Sequence, residues 1–275
     1  MQNDNPNTPA EENPKEEPAI KFTDFDFSEP IMQGIMDMRY ETPTAIQAQS
    51  IPPILRGSDL IANAQTGSGK TAAFLLPLMQ RIHTKPANAS RILVIAPTRE
   101  LACQIDEQVL GFGYRSGLKS VAIYGGVRME VQEQAIRAGT PIIIATPGRL
   151  LDHHKYGYLD FSQIESIVLD EADRMLDMGF WPDIQKIFKL LPDKIQILLF
   201  SATMPEPIVK LAKTMMHNPE HVKIGLVRPP SSISQYMLPV LQRNKEDLVV
   251  DMLKTIEIKN AIIFTATKIG AERLY

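Results

Sequence analysis

The stretch Asp59-Leu-Ile-Ala-Asn-Ala-Gln-Thr-Gly-Ser-Gly-Lys-Thr-Ala-Ala-Phe-Leu-Leu76 decides the architecture. Its opening, Asp59–Ala62, is a short apolar run that suits a buried strand. Its close, Ala72–Leu76, is the start of a helix. Between them Ala64-Gln65-Thr66-Gly67-Ser68-Gly69-Lys70-Thr71 fits the phosphate-loop pattern, with Ala64 where glycine is more usual. Gly67 and Gly69 permit a tight loop whose backbone N–H groups face phosphate oxygens. The positive end of the following helix adds to that attraction. Lys70 is placed to reach the β- and γ-phosphates, and Thr71 to offer its hydroxyl to Mg²⁺. Pro77 lies two turns into the helix and is expected to kink it.

Outward from this loop, β-rich runs alternate with helical patterns. Strands are expected at Asp59–Ala62, Ile92–Ala96, Ser120–Tyr124, Pro141–Ala145, Ser166–Leu169 and Gln196–Phe200. Most are continuous apolar runs, as strands covered on both faces should be. Arg99–Leu110 and Met129–Ala138 suit helices. The alternation predicts an α/β fold around a mostly parallel sheet. One strand ends in Asp170-Glu171. Asp170 suits a magnesium ion bound directly or through water, and Glu171 suits a base for the attacking water. With the phosphate loop, these acids indicate a nucleoside triphosphatase.

The rest of the 275 residues bounds the class. Hydrophobic residues at 44% and charged residues at 22% exclude a largely disordered chain. No apolar run reaches the roughly 18 residues of a membrane helix. One cysteine, Cys103, excludes an internal disulfide framework and reads as a small core residue. The chain reads as cytoplasmic. Its net charge of −3 argues against bulk electrostatic binding to nucleic acid. The charge is uneven, however: residues 1–20 carry five acids against one lysine. That segment reads as a disordered acidic tail, and the remainder is close to neutral. His153 and His154 read as surface or loop histidines, without a partner set for a metal.

Asp170-Glu-Ala-Asp173 is the tetrapeptide that names the DEAD-box RNA helicases, and the sequence resembles that family throughout. Pro43-Thr-Ala-Ile-Gln47 resembles its Q motif, Pro97-Thr-Arg-Glu-Leu101 motif Ia, Gly125-Gly126 the GG motif and Thr146-Pro-Gly-Arg149 motif Ib. Ser201-Ala-Thr203 resembles motif III, and Ile262-Ile-Phe264 with Thr267 resembles motif IV. The wording around Met178-Gly-Phe180 looks bacterial and RhlE-like. The resemblance implies ATP and Mg²⁺ as cofactors and RNA as partner. It implies that Gln47 reads adenine, with Phe22 stacking on the base and Phe25 as the fallback. Lys70, Asp170 and Glu171 become catalytic. Pro97, Thr98, Arg99, Gly125, Gly126, Thr146, Pro147, Gly148 and Arg149 become RNA contacts, suited to phosphate and sugar. Asp173, Ser201 and Thr203 would couple the two sites. Arg39 departs from the family pattern, which commonly has glycine before an aromatic, here Tyr40; that puts a local turn in doubt.

The fold implied is a RecA-like lobe over 21–226, a linker over 227–232 and the truncated start of a second RecA-like lobe over 233–275. Within the last, strands are expected at Ile233–Leu238 and Ala261–Phe264, with a helix at Lys245–Thr255. The second lobe of the family supplies an arginine finger, worth about 10³–10⁵ in rate. This sequence has no His-Arg-x-Gly-Arg-x-x-Arg pattern, so weak activity is expected of the chain alone. A nucleotide- or RNA-binding module without turnover, and a DNA helicase, are the alternatives.

Overall fold

The computed structural model describes residues 20–65, 67–85, 89–224, 233–234 and 236–275. The expected tail (save Ile20), the linker and Thr66 lie outside the described residues. The chain divides into two compact units, Met1–Leu226 and Val227–Tyr275.

The first unit is built on seven strands: β1 Leu60–Asn63, β2 Ile92–Ile95, β3 Ser120–Ile123, β4 Ile142–Ala145, β5 Ser166–Leu169, β6 Gln196–Ser201 and β7 Glu220–Lys223. All pair in parallel, in the order β3-β4-β2-β5-β6-β1-β7. Parallel strands need crossovers, and helices supply them. These are α1 Glu29–Asp37, α2 Ala45–Arg56, α3 Lys70–Thr84, α4 Arg99–Gly113, α5 Met129–Arg137, α6 Pro147–Lys155, α7 Ala172–Asp177, α8 Trp181–Phe188 and α9 Glu206–Met215.

Side chains alternate across the sheet, so one strand feeds two cores. Leu60, Ala62, Ile92, Val94, Ile142, Ile144, Leu198 and Phe200 join the core beneath α1 to α4. Ile61, Leu93, Ile95, Ile143, Ala145, Leu199 and others join the core beneath α6 to α9. Strand β7 is the exception to the apolar pattern. It is an edge strand, only Val222 is buried, and charged residues stand at both its ends, as suits an edge that must not aggregate. Helix α3 runs unbroken through Pro77, which forgoes one backbone bond without ending the helix. Helix α1 lies close to α4: a Cβ on Gly34 would stand 2.1 Å from the Phe112 carbonyl oxygen.

In the second unit, α10 Lys245–Thr255 matches the expected helix, and α11 Lys268–Leu274 follows. The two expected strands do not form. Residues 261–264 are irregular, with Ile262 and Phe264 more than four-fifths exposed, and the described residues of 233–238 are irregular too. A strand is stable only when paired, and no described residue of this unit belongs to a strand.

Candidate functional site

Every motif of the first unit except Pro43–Gln47, which opens α2, lies at the carboxyl end of a strand, where ligands bind in open α/β sheets. The strand order sets the motifs in a row. Gly125-Gly126 follows β3, Thr146–Arg149 follows β4, and Pro97–Arg99 follows β2. Asp170–Asp173 follows β5 at the centre. Ser201 ends β6, and the phosphate loop follows β1. The RNA candidates thus fill one half of the edge and the phosphate loop the other.

In the loop, Gly67 and Gly69 have φ of 82° and 92°, as a tight glycine turn requires. Gly69 caps α3, so the N-terminus of that helix opens onto the loop. The loop is anchored by Ala64 N–H to the Ser201 carbonyl, 3.2 Å. Gln47 is almost fully buried. Its Oε1 accepts from Thr44 N–H at 2.8 Å and its Nε2 donates to the Gly69 carbonyl at 3.0 Å. The amide therefore ties α2 to the phosphate loop and keeps one acceptor and one donor position for a base. Phe22 does not present a stacking face. It is 3% exposed and packs edge-on against Phe25 and Tyr40, at 6.1 Å in each case. Phe25 is 8% exposed and is likewise held by Phe22 and Phe27. The aromatic cluster that stabilises this segment is what hides both rings.

Asp170 is fully buried, and its Oδ1 meets Lys70 Nζ at 2.9 Å. Burial pushes its carboxyl above the usual range, against the pull of Lys70. Its Oδ2 accepts no hydrogen bond among the described residues. Lys70 also approaches Glu171 Oε1 at 3.5 Å, and Arg174 holds Glu171 Oε2 at 3.1 Å. Glu171 has φ +54°, a left-handed conformation rare for a residue with a Cβ. Lys70 thus rests on the two acids. A buried carboxylate with an unsatisfied oxygen fits a divalent cation. Among the described residues no three acids, histidines or cysteines converge as a metal cage. Thr71 is the second residue of α3, beside Lys70.

Asp173 makes three hydrogen bonds with the end of β6 and the residues just past it, accepting two and donating one. Thr203 donates its N–H and its hydroxyl to Oδ2, each at 2.9 Å, and Asp173 N–H donates to Ser201 Oγ at 3.1 Å. Burial pushes the Asp173 carboxyl up, but the bonds from Thr203 and Ser201 outweigh it and hold the carboxyl below its ordinary value.

On the other half of the edge, a groove of about 530 Å³ is lined by Pro97, Thr98, Arg99, Gly125, Thr146, Gly148 and Arg149. The acids Glu100 and Asp152 also line it, and Tyr124, Met178 and Phe180 complete its wall. Sequence reasoning had no RNA role for these three; their apolar character resembled core, and only the strand order brings them to the groove. Gly126 turns with φ 83°, and Pro147 is buried in the first turn of α6, so neither lines the groove. The Arg99 guanidinium lies 4.9 Å over the Tyr124 ring. His153 is not a surface residue: it is fully buried on α6, hydrogen-bonded to Gln132 and Tyr158. Burial, helped by the nearby Arg149 charge, pushes its imidazole below the usual value. Cys103, on α4, is only partly buried.

A family model described as DEAD/DEAH box helicase matches residues 44–211. The chain belongs to that family. It is 45% identical over 249 residues to "ATP-dependent RNA helicase DeaD" of Escherichia coli (strain K12), covering 90% of this chain and 39% of that protein. It is 43% identical to "DEAD-box ATP-dependent RNA helicase CshA" of Bacillus subtilis (strain 168), over 93% of this chain and 52% of that protein. The chain therefore spans about two-fifths to one half of these relatives. Among solved structures, a DEAD box protein from Methanococcus jannaschii superposes with a TM-score of 0.71 at 34% identity, covering 92% of this chain and 68% of that one. A hypothetical ATP-dependent RNA helicase from Sulfolobus tokodaii gives 0.67 at 36%, over 72% and 57%. The names of the relatives do not single out an RhlE-like branch. Among the described residues no helix is long and apolar enough to cross a membrane.

Proposed function

We propose that this chain is the nucleotide-binding part of an ATP-dependent RNA helicase or ribonucleoprotein remodeller of the cytoplasm, coupling ATP binding and hydrolysis to RNA binding and local strand separation. One observation carries the reading: along a single sheet edge the phosphate loop, the buried acids and the groove stand side by side. The contacts of Asp173 with Ser201 and Thr203 join the acids to the next strand along.

The roles follow from chemistry. Loop N–H groups and the α3 N-terminus bind phosphate oxygens. Lys70 turns from the acids to the β- and γ-phosphates, and Gln47 uses its remaining donor and acceptor on adenine. Thr71 and Asp170 would hold Mg²⁺, which supplies charge neutralisation at the transferring phosphate. Glu171 orients the attacking water and accepts its proton. Thr98, Thr146, Arg99, Arg149 and the accessible amides near Gly125 and Gly148 contact RNA backbone, and a 2′-OH contact would select RNA over DNA. The arginine finger and the remaining RNA contacts belong to a second lobe in the resemblance, so the isolated chain should turn ATP over slowly.

Phosphate release by the 275-residue chain tests this, measured without nucleic acid, with single-stranded RNA and with the matching DNA. The expected result is weak activity, raised by RNA more than by DNA, with ATP binding lost in Lys70→Ala. Equal stimulation by DNA, or ATP affinity indifferent to Lys70→Ala, would overturn the reading. Strong RNA-stimulated turnover by the chain alone would remove the need for a second lobe.

A further inference from the structure

Gln132 on α5 and His153 on α6 are buried polar residues, 4% and 0% exposed, that do not themselves line the groove. They form the centre of a network behind it. Gln132 Nε2 donates to the Tyr124 carbonyl at 3.1 Å. Its Oε1 accepts from Arg149 Nε at 3.1 Å and faces His153 Nε2 at 2.9 Å. A guanidinium only donates and a backbone carbonyl only accepts. Those two ends leave one orientation for the amide. Its oxygen cannot donate, so His153 Nε2 carries the proton and Nδ1 accepts from the Tyr158 hydroxyl, 2.5 Å away. Arg149 sends another N–H to the Val127 carbonyl.

Tyr124 and Val127 bracket Gly125-Gly126. One network therefore grips both ends of the glycine turn and the plane of the Arg149 guanidinium. The partner chosen for the arginine matters. A carboxylate at 132 would orient it and cancel its charge, whereas an amide orients it and leaves the charge for a phosphate. Three of the five guanidinium N–H groups remain for a ligand.

We propose that Gln132 and His153 are positioning residues for RNA: they set the Arg149 guanidinium and the Gly125-Gly126 turn against the RNA backbone. This rests on the reading of the groove as the RNA face. His153 acts through Gln132, fixing its oxygen between two donors so that it cannot rotate away from Arg149.

The test is fluorescence anisotropy of a fluorescein-labelled single-stranded oligouridine bound to the chain, over a series of potassium chloride concentrations, with melting temperature recorded for each variant. Arg149→Met should weaken binding about fivefold and flatten the slope of log K against log salt by about 0.7. Gln132→Met and His153→Leu should move affinity and slope in the same direction. The double variant Arg149→Met/Gln132→Met should bind no more weakly than Arg149→Met alone, as residues acting as one unit do. His153→Gln, which can donate to Gln132 and accept from Tyr158, should restore the wild-type slope; a packing role would be met as well by leucine. If wild type fails to bind, or Arg149→Met binds as wild type does, the groove reading fails and this proposal with it. If Arg149→Met weakens binding while Gln132→Met keeps the wild-type affinity and slope, the groove stands and the positioning role is wrong. A His153→Gln variant no better than His153→Leu also overturns it. Should His153→Leu not fold, the Gln132–Arg149 cycle decides alone.

Discussion

Replacing Arg39 by glycine should stabilise the protein. Arg39 follows α1 with φ +59°, in the left-handed region. Its backbone is held there by bonds that close the helix: Tyr40 N–H to the Ile35 carbonyl at 3.1 Å and Arg39 N–H to Met36 at 2.9 Å. This is the pattern of a helix end that ordinarily takes glycine. The turn placed in doubt by the sequence is thus kept, under strain. The Cβ in this conformation costs about 1–2 kcal/mol. Glycine removes that cost, but frees the unfolded chain by about 0.5–1 kcal/mol. The net expectation is a gain of about 0.5–1 kcal/mol, or roughly 1–4 °C in melting temperature for a unit of this size. The arginine side chain is exposed and makes no ion pair or hydrogen bond among the described residues, so little is lost with it. Arg39→Ala is the control: it keeps the Cβ and should stay within about 0.5 kcal/mol of wild type. Urea unfolding followed by circular dichroism measures both. A glycine variant no more stable than wild type, or an alanine variant equally stabilised, would refute the strain argument.

Gly34→Ala should destabilise by about 3 kcal/mol or more, read by the same unfolding assay, because its Cβ would meet the Phe112 carbonyl at 2.1 Å. Asp59→Ala should lose about 2–5 kcal/mol, since the buried carboxylate accepts Ile197 N–H and His217 N–H at 2.7 Å each and both would be orphaned. Acid should weaken the fold through His153: its folded pKa lies below the unfolded one, through burial and the charge of Arg149 against the opposing Glu133 and Asp152, so the unfolded chain binds more protons below about pH 6.5. Melting temperature should therefore fall as pH drops through that window, and less steeply in His153→Gln. Chelating divalent cations should weaken ATP binding in a fluorescent-analogue titration, and Asp170→Asn should lessen that dependence.

Five of the seven strands were legible because each is covered on both faces and reads as an apolar run, and the edge strand β3, with only Ile123 buried, was legible from its Val-Ala-Ile run alone. Strand β7 was not, because Glu220-His-Val-Lys223 holds a single apolar residue and so no such run. The phosphate loop and Asp170-Glu171 were legible because their chemistry is local: the loop, the lysine and the hydroxyl lie within eight residues. Gln132 and His153 were illegible because their partners are set by the packing of α5 on α6, and a lone glutamine or histidine has no sequence signal of that kind. The burial of Phe22 was illegible for a related reason. An aromatic can stack on a ligand or close a core, and only the positions of Phe25 and Tyr40 show which. The expected strands of the second unit failed because strand formation depends on a pairing partner that the local pattern does not supply.

If Lys70 moves to a phosphate as proposed, its position links nucleotide binding to charge exchange. At rest its ammonium lies 2.9 Å from Asp170 and 3.5 Å from Glu171, both buried. A buried carboxylate stripped of its partner is destabilised by several kcal/mol, so Lys70 cannot leave for a phosphate unless another positive charge takes its place. Arg174 serves Glu171 from the exposed side but has no recorded bond to Asp170. Asp170 is the residue left wanting, and it already has an oxygen without a hydrogen-bond donor. Phosphate and divalent cation should therefore enter together: each makes the other's arrival favourable, and a triphosphate alone would leave Asp170 uncompensated. The same exchange reaches Asp173, two residues past Glu171 and bonded to Thr203. A shift in the strand end that carries the acids must move that bond or strain it. That is a physical route from phosphate to the end of β6.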